Sequence, residues 1–151
     1  MLSKCVAILK KLNLGFQKVD ELFKDKASFN DIISSWDVSD VTGMANMFNG
    51  ADAFNQNIGN WADMSSVTNK NGMFKDAEAF NQDISNWDVS SVNNMNAMFA
   101  SADAFNQDIS NWVVASVTNI TDMFSYGDAF DQYLSGWCVT QIASEPANFG
   151  N

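Results

Sequence analysis

The sequence predicts an α/β repeat fold of about six stacked coils, each a short parallel β-strand followed by a short helical or 3-10 turn. Three observations carry that expectation. All five tryptophans fall on a ruler, at Trp36, Trp61, Trp87, Trp112 and Trp137, spaced 25, 26, 25 and 25. A fixed period of that size marks stacked supersecondary units. Eleven of the twelve phenylalanines stand in two columns, Phe23, Phe48, Phe74, Phe99, Phe124 and Phe149, then Phe29, Phe54, Phe80, Phe105 and Phe130. Such order means that equivalent residues of neighbouring coils touch. Within a unit, Ile84-x-x-Trp87-x-Val89 ends in a period-two alternation, the pattern of a short strand with one buried face. Val92, Met95, Met98, Phe99, Ala102 and Phe105 then recur every three or four residues, the spacing of a helical turn.

The elements follow in order. Residues 1–25 read as a divergent N-terminal coil: Leu9-x-x-Leu12-x-Leu14 repeats the Ile-x-x-Trp-x-Val spacing, and Phe16, Val19, Leu22 and Phe23 follow. Residues 26–136 are regular repeats, whose strands would stack in parallel about 4.8 Å apart. Met47, Met73, Met98 and Met123 form a further column, as do Val41, Val67, Val92 and Val117. One repeat is irregular. Ala62 is an extra residue directly after Trp61, which reads as a bulge. The same repeat places Lys70 where others have Met44, Met95 or Ile120. An unpaired lysine is costly to bury charged, so its ammonium is expected to snorkel to solvent or to a carboxylate. Residues 137–151 read as a capping coil, with Pro146 where other copies continue their turn. The whole, residues 1–151, is expected to be one domain.

Composition narrows function. The formal charge is −10, from eight lysines and eighteen acids, with no histidine. All eight basic residues are lysines, so the arginine fork that reads phosphates and base edges is missing, and nucleic acid is excluded as a partner. Residues 1–26 carry six lysines and three acids (+3), whereas residues 27–151 carry two lysines and fifteen acids (−13). No apolar run approaches the roughly 20 residues of a membrane span, so no membrane insertion is expected. The stretch Cys5 to Leu9 is too short for a secretory signal. Cys5 and Cys138 sit in the first and last repeats, too far apart for an expected disulfide. Without histidine the usual general base and metal ligand are missing, and the chain is expected to be no enzyme, with no cofactor and no metal. The acidic column Asp52, Glu78, Asp103 and Asp128 reads as a solvated stripe; calcium would need several oxygens converging in one site.

The near-consensus copy Phe80-Asn-Gln-Asp-Ile-Ser-Asn-Trp-Asp-Val-Ser-Ser-Val-Asn-Asn-Met95 resembles the repeat of BspA-like leucine-rich-repeat surface proteins. The likeness spans about residues 23–149. It implies a right-handed leucine-rich-repeat-like solenoid, a place at the cell surface or outside the cell, and protein binding or adhesion, with no catalytic residue in the motif. The chain departs in its lack of a signal or lipid-attachment sequence, so its location stays open.

The candidate binding residues are those on the outward face of the expected strand: Asp37 and Ser39, Asp63 and Ser65, Asp88 and Ser90, Val113 and Ala115, Cys138 and Thr140. The first three pairs are polar. In the last two repeats, Val113, Ala115 and Cys138 form a small apolar patch of the kind that marks contact surfaces. Ala62 and Lys70 mark the irregular repeat and a cationic point. The five tryptophans read as core, and Asn55, Asn81 and Asn106, with Asn30, as an amide ladder joining coils. The function expected is binding of a protein or cell-surface ligand through the strand face. Self-association with coil ends stacked between molecules is the alternative. Ice binding by the rows of Ser39, Thr42, Ser65, Thr68, Ser90 and Thr118 is a remote one, because Asn93, Ala115 and Ala143 break the rows.

Overall fold

The computed structural model describes residues 17–149. These form a stack of coils: 17–41, 42–67, 68–92, 93–117 and 118–142, coils 1 to 5, with 143–149 starting another. The expected coil of strand plus helical turn is not what they build. Among the described residues there is no helix, and strand pairing is reduced to isolated parallel bridges, Lys18 to Gly43, Gly43 to Asn69, Asn69 to Asn94 and Asn94 to Asn119. The bridges of Gly43, Asn69, Asn94 and Asn119 fall just after Val41, Val67, Val92 and Val117, where a helical turn was expected. The segment expected to be a strand, Ile84 to Val89, has none.

The physical reason lies in what each backbone N–H bonds. In coil 4, i to i−3 bonds close six β-turns, at Met98, Ala100, Ala102, Phe105, Trp112 and Val117. The hydrophobic spacing of three and four is the spacing of these turns. A helix cannot form because alternate N–H groups point along the stack instead: Met95, Ala97, Phe99 and Ser101 donate to the carbonyls of Asn119, Thr121, Met123 and Ser125, at 2.8–2.9 Å. That alternation requires left-handed residues four apart. They are Glu21 and Asp25, Asn46 and Gly50, Gly72 and Asp76, Ala97 and Ser101, Asp122 and Tyr126, with φ between 51° and 67°. A right-handed helix tolerates no such residue.

Polar side chains fix the corners. Asx turns recur, the carboxylate or amide oxygen two residues back accepting a backbone N–H. Asn69, Asn94 and Asn119 clamp the N–H groups of Asn71, Asn96 and Thr121 at 3.0 Å. Asn57, Asp83 and Asp108 clamp Gly59, Ser85 and Ser110 at 2.9–3.0 Å. A period-two run interrupted by such a clamp on each side cannot lie flat as a strand.

The interior is aromatic. The first phenylalanine column stacks from Phe23 through Phe48, Phe74 and Phe99 to Phe124, with centroids 5.5–5.7 Å apart. Within each coil it meets the second column at 3.8–4.0 Å. The inner rings Phe48, Phe74 and Phe99 are thereby covered above, below and beside, the geometry in which aromatic burial contributes most. Trp61, Trp87 and Trp112 are buried, while Trp36 and Trp137 at the two ends are half-buried. The indole N–H of Trp61, Trp87, Trp112 and Trp137 donates to the carbonyl of Ile33, Ile58, Ile84 and Ile109, at 3.1–3.2 Å. Each tryptophan thus ties its coil to the one before. Val19 and Leu22 pack against this core, whereas Leu9, Leu12, Leu14 and Phe16 lie outside the described residues.

Candidate functional site

The outward residues do not sit on a strand. Asp37, Asp63 and Asp88 each close an Asx turn, the carboxylate Oδ1 accepting from the N–H and the hydroxyl of Ser39, Ser65 and Ser90. In the pair Asp88–Ser90 the distances are 3.0 and 2.6 Å. The aspartates are exposed, while Ser39 and Ser90 are half-buried. Hydrogen bonds from the serine hydroxyl and then its N–H hold the carboxyls of Asp37 and Asp88 below the ordinary range. Asp83 and Asp108 are held low in the same way by Ser85 and Ser110. These carboxylates are therefore half-engaged by their own coil.

The next two coils lose the clamp. Val113 stands 61% exposed at the position of Asp88, Ala115 is exposed at that of Ser90, and Cys138 and Thr140 repeat the exposure one coil on. Cys138 carries a free thiol; Cys5 lies outside the described residues. The sequence reading overlooked Tyr133, which is 89% exposed at the position that Asp83 and Asp108 occupy in earlier coils. Its signal was there to be read, an aromatic in an Asx column, across the Leu134–Trp137 turn from Cys138. An apolar surface thus replaces three acidic positions near the end of the stack. Among the described residues no three of His, Cys, Asp or Glu group as a metal site would.

Asn30, Asn55, Asn81 and Asn106 form a ladder at the rim. Each Oδ1 accepts the backbone N–H of the equivalent residue one coil on, at 3.0–3.1 Å, and the adjacent glutamine amide at 2.7–2.9 Å. The ladder ends on Asp131 and Gln132.

Lys70 corrects the expectation made for it. It does not snorkel: it is 0% exposed, with Nζ 3.0 Å from the Met64 sulfur, 4.0 Å from that of Met44 and 5.2 Å over the Trp87 ring. Burial lowers its pKa to about 7, against a smaller opposing pull from the Asp88 charge. Burial in this apolar site disfavours the charged form and favours the neutral amine. Ala62 is exposed and is no strand bulge, since no strand forms there; its carbonyl accepts from both Met64 and Asp88.

The last coil opens a second feature that the sequence signalled only through Pro146. A cavity of about 400 Å³ separates residues 118–121 from 141–147. Pro146 occupies the position of Asn96 and Thr121 and has no N–H for the Asx clamp. The bridges accordingly stop at Asn119.

The comparisons accord with a repeated unit. The family model described as Mycoplasma protein of unknown function, DUF285, matches twice, over residues 13–83 and 62–151. No curated protein and no solved structure gives a match. Two matches that together run from residue 13 to residue 151 cover far more than half the chain, which belongs to this repeat family of mycoplasma proteins of unknown function, DUF285.

Proposed function

We propose that the chain is a non-enzymatic module that binds another protein, as an adhesion or surface-recognition repeat. One observation carries the reading: Val113, Ala115 and Cys138 are exposed where the preceding coils have Asp–Ser clamps. Repeat stacks work by presenting surface, and an exposed apolar patch in an otherwise acidic body favours a contact there. The resemblance of Phe80–Met95 to BspA-like surface repeats supports the same class of function. The clamp in coils 1 to 3 keeps those coils hydrated and rigid, so recognition is assigned to the last two.

The test restores the clamp where it is missing. The double variant Val113→Asp with Ala115→Ser rebuilds the Asp-x-Ser turn without touching the core. Wild type and variant are compared by surface plasmon resonance against a panel of purified extracellular proteins. Wild type is expected to bind at least one, and the variant at least tenfold more weakly. Equal binding by both, or no binding by wild type, rejects the reading.

A second reading, end-to-end assembly, is favoured by the open last coil. The N–H of Ile120 makes no bond to the following coil among the described residues, whereas those of Met44, Lys70 and Met95 do. Light scattering after size exclusion separates the two readings: growth with concentration supports assembly, and a constant monomer mass removes it.

A further inference from the structure

We propose that the interface between coils 2 and 3 is a pH-graded joint, loosened by protonation of the buried amine of Lys70. The amine lies where the stack is already interrupted. Trp36 stacks on Trp61 at 6.1 Å, and Trp87, Trp112 and Trp137 stack in turn at 6.4 and 6.3 Å. Between Trp61 and Trp87 comes the extra residue Ala62, and Nζ of Lys70 sits over the Trp87 ring.

What faces the amine decides its behaviour. From coil 2 it meets the thioethers of Met44 and Met64, which are weak acceptors and carry no charge. From its own coil it meets the Trp87 face, and Asp88 is the charged group that acts on it. The Asp88 carboxylate is exposed and bonded to Ser90, and it forms no ion pair with Lys70 among the described residues. The same position in coil 4 is Met95, without charge. Thioethers and a ring face replace only part of the hydration of an ammonium, so the closed interface favours the neutral amine.

Any state that wets Nζ favours the charged amine instead. Between the ordinary lysine value of 10.5 and about 7, the open state binds one more proton than the closed state. As pH falls through that window, opening is favoured by about tenfold per unit. Below about 7 the closed state is itself protonated, and the dependence flattens.

Hydrogen exchange tests the joint against a regular interface. The N–H groups of Met44, Asn46, Phe48 and Gly50 donate across the joint to Asn69, Asn71, Met73 and Lys75. Those of Met95, Ala97, Phe99 and Ser101 cross the interface of coils 4 and 5. From pH 7 to 9, protection factors of the first set are expected to rise by roughly 50-fold, with the second set unchanged. Lys70→Met, which restores the residue of coils 2 and 4, should remove the dependence and raise joint protection at pH 7. Joint protection independent of pH, or an equal rise in both sets, overturns the proposal. So does a midpoint near 10.5 for Lys70 followed by NMR at its ε-methylene.

Discussion

The interface of coils 2 and 3 and that of coils 3 and 4 are made of the same parts, yet one is continuous and the other is not. At the second, Trp87 stacks on Trp112 at 6.4 Å, and a buried hydrophobic residue, Met95, stands at the place that Lys70 takes in coil 3. At the first, an extra residue and a lysine occupy the corresponding places. The difference is confined to one side of the coil. The phenylalanine column crosses both interfaces at nearly the same distance, 5.5 Å from Phe48 to Phe74 and 5.6 Å from Phe74 to Phe99. The stack therefore behaves as parallel columns that are locally independent, and an insertion damages only the column in which it falls.

The largest expected effect tests that independence. Phe74→Ala and Phe99→Ala each empty a fully packed aromatic site, at a cost of about 3–5 kcal/mol. Urea unfolding of the two variants should give values equal within about 1 kcal/mol, the scatter of such substitutions. A much smaller cost for Phe74 would show that the irregularity of the joint reaches the phenylalanine columns, and the picture of independent columns would be wrong.

Next comes the residue that makes the joint different. The folded-state value of Lys70 lies below its unfolded one, so the unfolded chain binds more protons between about 7 and 10.5, and stability rises with pH there. The penalty is full below about 7 and vanishes near 10.5. A gap of 10.5 to about 7 sets a ceiling near 5 kcal/mol, and relaxation around the amine brings the expected gain from Lys70→Met to roughly 3 kcal/mol at pH 7. Chemical denaturation at pH 7 and 10 measures it. A gain that is the same at both pH values would mean that the substitution acts by packing alone.

Much of this architecture was legible in the residues, and the failures have a common cause. The period, the columns and the irregular repeat follow from spacing, because identical contacts between coils demand identical residues. Secondary structure did not follow. A spacing of three to four residues is shared by helices and by consecutive β-turns, and the discriminating feature is the left-handed φ at residues such as Ala97 and Ser101, whose side chains give no hint of it. Likewise Asp88 and Ser90 read as a polar strand face, although Asp and Ser two apart are also the elements of an Asx turn. For Lys70 the charge was treated as fixed, whereas burial lowers the pKa of the amine to about 7. At the candidate binding face, the replacement of acids by Val113 and Cys138 could be read directly from the columns. Tyr133 was missed because an aromatic in the column of Asp83 and Asp108 was not weighed as surface.

A smaller effect asks whether hydrogen bonding, unlike ring stacking, passes through the joint intact. The indole of Trp87 reaches back across it to the carbonyl of Ile58 at 3.1 Å, and that of Trp112 reaches Ile84 at 3.2 Å. Trp87→Phe and Trp112→Phe each leave a buried carbonyl without its donor, costing about 1–3 kcal/mol. Equal losses in thermal unfolding place both ties on the same footing. Trp36→Phe provides the control, since the Trp36 indole N–H has no partner among the described residues, and its loss should be smaller.

The smallest effect reverses the ranking of the two regions. Coil 3 carries the lysine and follows the extra residue of coil 2, yet its left-handed position is Gly72, with φ of 56°. Coil 4, regular in its core columns, places Ala97 in that position at 51°. A Cβ in the left-handed region costs about 1–2 kcal/mol, of which glycine returns part through its larger unfolded-state entropy. Ala97→Gly should therefore stabilise the protein by roughly 0.5–1 kcal/mol. The reverse change, Gly72→Ala, should destabilise it by more than the dihedral alone, because the new Cβ would collide with the side-chain oxygen of Asn46. Matched melting curves of the two variants decide the matter. Opposite signs would show that the regular coil is the more strained of the two and the irregular coil the better fitted at this corner. A loss of stability in both would mean that Ala97 contributes packing that outweighs its backbone strain.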